Sequence, residues 1–418
     1  MKIALVCNAY PPEFVGGTEM VVAAQAKELQ RAGHQVRVIC GLQSNGGDFR
    51  PRMEFVEGVE VVRIAKTEVE SSTAHWQFAR LVRVVAEASR DFDVIHVHHW
   101  ASLSGDLVRR LSNQAPVVLT VHDYYASCPR FFRTPLAGLR CPSDRPTDDC
   151  VQCVLPLVGE QGPTDVHQRL SERWTNFQAE LEAAHQVITP SEHLRGALAR
   201  QMDISNEDWE VLPHGLCQAV GEVQKNEEHE GPLTVLSFGN RSAVKGTLDL
   251  VQAMAALPAG SARLIMPGSE VEEGFDDLLR AAAGDLELEL PGRYSAEDLP
   301  LYAARADLAA FPSRAEESYG LVIEEALAMG LPVWVSDRGA LPEVLTRAAG
   351  SGPLPGGILP AEDPAAWTRA LEKLVEEPQR LEDARASIPK QPKPAVQAVQ
   401  RQLEIYAKIL DVLPAKDS

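Results

Sequence analysis

No run of apolar residues in this 418-residue chain approaches the roughly 20 that a membrane-spanning helix needs. Basic residues are outnumbered, 40 Lys and Arg against 59 Asp and Glu, for a net charge of −19. Nucleic acid is therefore a poor partner, because it is bound through basic patches. A small basic cluster, Arg130, Arg133, Arg140 and Arg145, either meets an anionic acceptor or solvates a loop, and peripheral membrane association stays open. No cleavable signal pattern precedes the first apolar run, Lys2–Cys7, so a cytoplasmic location is expected. Low-complexity tracts and internal repeats are also missing. The first strand is not followed by Gly-x-Gly-x-x-Gly, which weakens a dinucleotide-enzyme reading.

What the chain does contain is an alternation of short apolar runs with amphipathic segments, the pattern of parallel sheets covered by helices. At 418 residues it exceeds one ordinary core, so two domains are expected. Strands are expected at Ile3–Cys7, Val36–Cys40, Val59–Ile64, Val94–Val97, Val117–Val121, Val187–Thr189 and Glu210–Leu212. A second series runs through Leu233–Phe238, Arg263–Met266, Glu287–Leu290, Leu308–Phe311, Pro332–Val335 and Gly357–Leu359. Cys217–Pro232, polar and acidic, reads as a linker, and the Pro- and Lys-rich stretch Pro389–Pro394 as a stiff connector. The fold class is α/β: two Rossmann-like domains with parallel sheets facing across a cleft, divided at about residues 1–215 and 216–394.

The most informative stretch is Phe311–Val335, FPSRAEESYGLVIEEALAMGLPVWV. A helix starting at the Ser318-Tyr319-Gly320-Leu321 turn offers unpaired backbone N–H groups to a diphosphate, with Glu317 and Glu325 on either side to bond hydroxyls. Near the N-terminus, Gly16-Gly17-Thr18-Glu19 lies between the first strand and a helix, where glycines permit close approach of a ligand. His122 ends an apolar strand at its carboxyl edge, where open α/β sheets bind ligands. His96 lies within a similar strand that His98 and His99 follow, and His98 or His99 is read as acceptor-side lining. In the loop Phe238–Gly246, Arg241 and Lys245 are suited to neutralise a leaving diphosphate.

Cys128, Cys141, Cys150 and Cys153 lie in one long loop that something must organise. Their Cys-x-x-Cys element favours structural zinc over free buried thiols.

The Pro-Ser, Glu, seven residues, Glu, Gly-x-Pro-Val arrangement resembles the retaining glycosyltransferases of family 4. The resemblance spans nearly the whole chain and implies the GT-B architecture, with the C-terminal helix, about residues 395–418, crossing back onto the first domain. It also implies that Glu317 contacts the transferred sugar and Glu325 the ribose, and that His122 faces the donor sugar. Gly16 and Gly17 would face the diphosphate and acceptor, and Pro291–Ser295, with Arg293 and Tyr294, would hold the base through main-chain groups. Family members usually carry a single acidic residue where this chain has Glu316 and Glu317; Glu317 keeps the spacing to Glu325, with Glu316 as its rival. The family's arginine position holds Asn240, so Arg241 fills that role only if the loop adjusts, and is otherwise a solvated surface charge. The expected activity is transfer of a sugar from a nucleoside diphosphate sugar to a hydroxyl acceptor, whether glycan, lipid-linked or small molecule, with no cofactor required for catalysis. An epimerase of the same fold and a non-catalytic sugar-nucleotide-binding protein are the alternatives.

Overall fold

The computed structural model describes residues 1–43, 48–66, 78–100, 103–130, 133, 141, 148–157, 162–217, 223, 231–390 and 395–412. Most of the expected linker, part of the Pro389–Pro394 connector, and Arg140 and Arg145 lie outside the described residues. The chain divides into two compact units, one of residues 1–132, 142–217 and 393–418, the other of residues 133–141 and 218–392. Among the described residues no helix is long and apolar enough to cross a membrane.

The first unit runs β1 (Lys2–Cys7), α1 (Gly17–Arg31), β2 (Gln35–Gln43), β3 (Pro51–Val56), β4 (Val59–Lys66), α2 (Ala79–Ala88), β5 (Val94–Val97), α3 (Leu107–Ser112) and β6 (Val117–Thr120). It continues through α4 (Asp148–Val154), α5 (Pro163–Ala183), β7 (Gln186–Thr189), α6 (Glu192–Met202) and β8 (Glu210–Val211). These strands form one sheet in the order β3-β4-β2-β1-β5-β6-β7-β8, parallel except where β3 pairs with β4. β1 is buried from Ile3 to Cys7, as a strand covered by helices on both faces must be. β3 has no counterpart among the expected strands. Five of its six residues are exposed, so no buried face imposes an alternation on its sequence.

The second unit contains β9 (Leu233–Leu236), α7 (Thr247–Ala255), β10 (Ala262–Ile265), α8 (Phe275–Ala283), β11 (Glu287–Glu289), α9 (Leu299–Ala303) and β12 (Leu308–Phe311). Then follow α10 (Leu321–Ala328), β13 (Val333–Ser336), α11 (Leu341–Ala349), β14 (Gly356–Leu359), α12 (Pro364–Glu376) and α13 (Gln379–Ala386). Its sheet is wholly parallel, in the order β11-β10-β9-β12-β13-β14.

The last helix, α14 (Ala395–Val412), belongs to the first unit. Its Ala398, Val399, Ile405 and Tyr406 share one core with Ile3, Leu5 and Val38. A buried polar clasp fixes its register: His96 on β5 lies 2.6 Å from the Tyr406 hydroxyl, 2.5 Å from Gln402 Nε2 and 2.7 Å from Thr120 Oγ1.

In both sheets the strand order reverses beside the first strand of the unit, between β1 and β5 and between β9 and β12. Such switch points leave a crevice at the carboxyl ends of the strands, where open α/β sheets bind ligands.

Candidate active site

In the second unit the switch point brings together the loops that follow β9 and β12. Gly246, at φ +67°, lies so close to the end of β12 that a Cβ on it would stand 2.0 Å from the Pro312 carbonyl oxygen. The Arg314 and Ala315 N–H groups donate to the Val244 carbonyl at 3.0 and 3.1 Å, stitching the two loops together. Lys245 is thereby delivered to Glu317, with Nζ 2.7 Å from Oε1, and Ser313 Oγ donates to the same oxygen at 2.7 Å. From the other side, the Ala340 N–H donates to the Glu317 carbonyl at 2.7 Å. Gly339, at φ +58°, rests on the same residue, and a Cβ there would lie 2.2 Å from that carbonyl oxygen.

Burial pushes the Glu317 carboxyl up, but the Lys245 ammonium and the hydrogen bonds from Lys245 and Ser313 outweigh it, so its pKa lies below the ordinary value. Glu317 is thus an ionised carboxylate paired to one ammonium. Glu316, its rival by sequence, is buried.

The start of α10 has Gly320 as its N-cap, at φ +107°, a residue with no side chain to cap the helix. A Cβ on Gly320 would meet Leu341 Cδ2 at 2.6 Å, so the turn and α11 pack without room for a side chain. Tyr319 is buried, donates its hydroxyl to Glu324 at 2.7 Å and carries the Arg347 guanidinium 5.1 Å from its ring centre. It therefore braces the helix start. Ser318 and Leu321 flank that turn, while Glu325 lies one turn further along α10. Burial raises the Tyr294 hydroxyl pKa, and the Glu325 charge raises it further, which ties the Pro291–Ser295 segment electrostatically to Glu325. Arg293 is exposed and donates to Ser269 Oγ at 3.2 Å.

Arg241 corrects the sequence reading. It is neither a diphosphate ligand in waiting nor a solvated charge: it is buried and grips Asp276 through Nε and Nη2, both at 2.6 Å. Its Nη1 donates to the Met266 and Gly268 carbonyls at 2.9 and 2.6 Å. A guanidinium engaged at all three nitrogens holds the loop in place.

In the first unit, the start of α1 is occupied by its own chain. Glu19 is buried, takes backbone N–H groups of Gly16 and of Glu19 itself, and sits 2.7 Å from where a Cβ on Gly16 would be. Burial raises its pKa, and the nearby Asp123 charge adds to this. The Gly16-Gly17 turn is thus shaped for Glu19 to cover the helix end. His122 is buried, with Nε2 3.0 Å from His98 Nδ1 and Nδ1 3.3 Å from His214 Nε2, so both its ring nitrogens are engaged by other histidines. His98 is buried as well, and His99, the other residue read as acceptor-side lining, is half-buried. Sequence reasoning passed over Ser313, Gly339 and His214, and also Lys66, buried at the end of β4 with Nζ 3.3 Å from Asn8 Oδ1. The Pro-Ser dipeptide was a visible signal for Ser313; His214, in an unremarkable Pro-His-Gly, had none.

The four-cysteine zinc set does not come together. Among the described residues no three His, Cys, Asp or Glu side chains gather as metal ligands would. Cys150 and Cys153 share α4.

Residues 15–217 match the model of Glycosyltransferase Family 4, and residues 221–391 that of Glycosyl transferases group 1. The chain belongs to glycosyltransferase family 4. The transferase is 26% identical to a D-inositol 3-phosphate glycosyltransferase of Catenulispora acidiphila, over 89% of this chain and 85% of that one. It is also 26% identical to the phosphatidyl-myo-inositol mannosyltransferase of Mycolicibacterium smegmatis, over 91% and 86% respectively. Among solved structures, the sucrose-phosphate synthase of Thermosynechococcus elongatus superposes with a TM-score of 0.65 at 19% identity, covering 99% of this chain and 100% of that one. Anabaena HepE in complex with UDP and glucose gives 0.65 at 17% identity, covering 97% and 99%. The transferase thus has the GT-B fold, each of its two units built on a mostly or wholly parallel sheet.

Proposed function

We propose that this glycosyltransferase moves a sugar from a nucleoside diphosphate sugar to a hydroxyl acceptor, with retention of configuration at the anomeric carbon. The observation that carries the reading is the Lys245–Glu317–Ser313 cluster at the β9/β12 switch point. With no donor bound, Glu317 neutralises Lys245. An arriving diphosphate competes for the ammonium and leaves the Glu317 carboxylate to accept hydrogen bonds from sugar hydroxyls. As the glycosidic bond breaks, negative charge grows on the leaving diphosphate, where Lys245 and the N-terminus of α10 stabilise it. Glu325, beside Tyr294, holds the ribose. Arg241 has no step, because its guanidinium is spent on Asp276 and two carbonyls.

No residue is assigned as a covalent nucleophile. The leaving phosphate takes the acceptor proton on the face from which it departs, which delivers the acceptor to that same face. His122 contacts the sugar by exchanging one of its histidine partners. Two relatives named for inositol phosphates or phosphatidylinositol support a polyol hydroxyl as the acceptor class. The proposed location is the cytoplasm.

The test is a panel of UDP-, GDP- and ADP-sugars with and without polyol acceptors, with the product's anomeric configuration read by proton NMR. Consumption of the donor should require acceptor, and the product should keep the donor's configuration. Conversion of the donor without acceptor would mean an epimerase, and an inverted product would refute retention.

A further inference from the structure

The loops after β5, β6 and β8 bring three imidazoles within hydrogen-bonding distance of one another. His98 Nδ1 stands 3.0 Å from His122 Nε2, and His122 Nδ1 stands 3.3 Å from His214 Nε2. His96 lies flat against His98 with ring centres 4.0 Å apart. All four rings are buried. The charged groups around them are Asp123, which follows His122 directly and acts on His99 and Glu19, and Lys66, which acts on His99. Burial lowers the pKa of His96, His98 and His122, and mutual repulsion lowers His98 and His122 further, so these rings are neutral.

A neutral imidazole has one N–H and one lone pair, so hydrogen bonds must run in a single direction through such a chain. The direction is set at its far end. Among the described residues His98 Nε2 is buried with no partner. Folded proteins tolerate a stranded lone pair better than a stranded N–H. The His98 proton therefore sits on Nδ1 and is donated to His122 Nε2. His122 then carries its proton on Nδ1 and donates it to His214 Nε2.

We propose that His98 and His214 are positioning residues for His122, locking its ring plane and its Nδ1–H tautomer so that a hydroxyl of the donor sugar replaces His214 as the acceptor of that N–H. The proposal rests on the reading of His122 as the residue that faces the sugar. The bond to His214 is the longer of the two and is the one exchanged, while the bond from His98 persists and keeps the ring in register. One hydrogen bond is traded for another, so contact with the sugar costs His122 no unsatisfied group.

Nitrogen-15 NMR of the imidazoles in the full-length wild-type protein tests the tautomer directly, with the His122 signals assigned by their loss in His122→Gln. A protonated Nδ1 with a bare Nε2 is expected; the opposite tautomer, or a mixture, overturns the proposal. In kinetics with a donor that supports transfer, His214→Ala should lower kcat about tenfold with the donor KM little changed, because the ring is misplaced at the barrier rather than absent from binding. His214→Asn, which keeps an acceptor oxygen, should recover most of the rate. In a His122→Ala background, His214→Ala should have no further effect. Equal losses in both backgrounds would mean that His214 acts only through the fold, and would overturn the proposal. A fully active His122→Ala would instead remove the sugar contact beneath it, while the wild-type tautomer would still be read independently.

Discussion

Replacing His96 tests how a buried neutral histidine ties the C-terminal helix to the first sheet. His96 is 1% exposed, and burial pushes its pKa down to about 3. The ordinary value of about 6.5 applies when the chain is unfolded. A histidine whose folded pKa is depressed contributes its full stability above the unfolded value and loses it as pH falls towards the folded value, because the unfolded state then binds the extra proton. Between pH 7 and pH 5 the loss for one such group is about 2 kcal/mol. His98, His99 and His122 titrate in the same sense, all with lowered values. Glu180 acts oppositely: burial raises its carboxyl to about 7 despite the hydrogen bonds from Arg109 and Val108, so it gains stability over the same range. These contributions cancel in a comparison of wild type with His96→Asn.

The expected result is that the stability advantage of wild type shrinks by about 2 kcal/mol from pH 7 to pH 5. Hydrogen exchange of the β5 and α14 amides reads it, since those amides report the opening of this unit by itself. An advantage that stays constant over the two pH units would show that His96 is not held neutral, and the clasp with Tyr406 and Gln402 would have to be redrawn.

Four further outcomes are expected. Gly339→Ala should destabilise the Glu317 turn and abolish most transfer, because φ +58° disfavours a Cβ and the new atom would strike the Glu317 backbone; transfer assays beside thermal denaturation check this, and wild-type activity would refute the packing. Lys245→Ala should chiefly lower kcat while Glu325→Ala chiefly raises the donor Kd, separable by steady-state kinetics and calorimetry, and matched effects in both variants would refute the division. Brief chelation should leave initial rates unchanged, since protein groups meet the diphosphate charge; recovery of lost activity by magnesium or manganese would sink this. Elemental analysis of protein purified without chelator should find less than one zinc per chain, and stoichiometric zinc would reinstate the set of Cys128, Cys141, Cys150 and Cys153.

Continuous apolar runs such as Ile3–Cys7 and Leu308–Phe311 determined where parallel strands lie, because a strand buried on both faces can hardly be built otherwise. Glycines and prolines at strand ends marked the loops proposed to face the ligand, and the Glu317 and Glu325 spacing marked the candidate site, since those signals are local in sequence. The exposed edge strand β3 escaped notice because nothing buried disciplines its pattern. Tertiary structure alone decided partners that lie far apart along the chain. Arg241 is a clamp on Asp276, 35 residues away, and His214, 92 residues from His122, completes a histidine chain. Each outcome depends on where another side chain ends up, and the charge and hydrogen-bonding capacity written in a residue's identity do not say which distant partner will claim them.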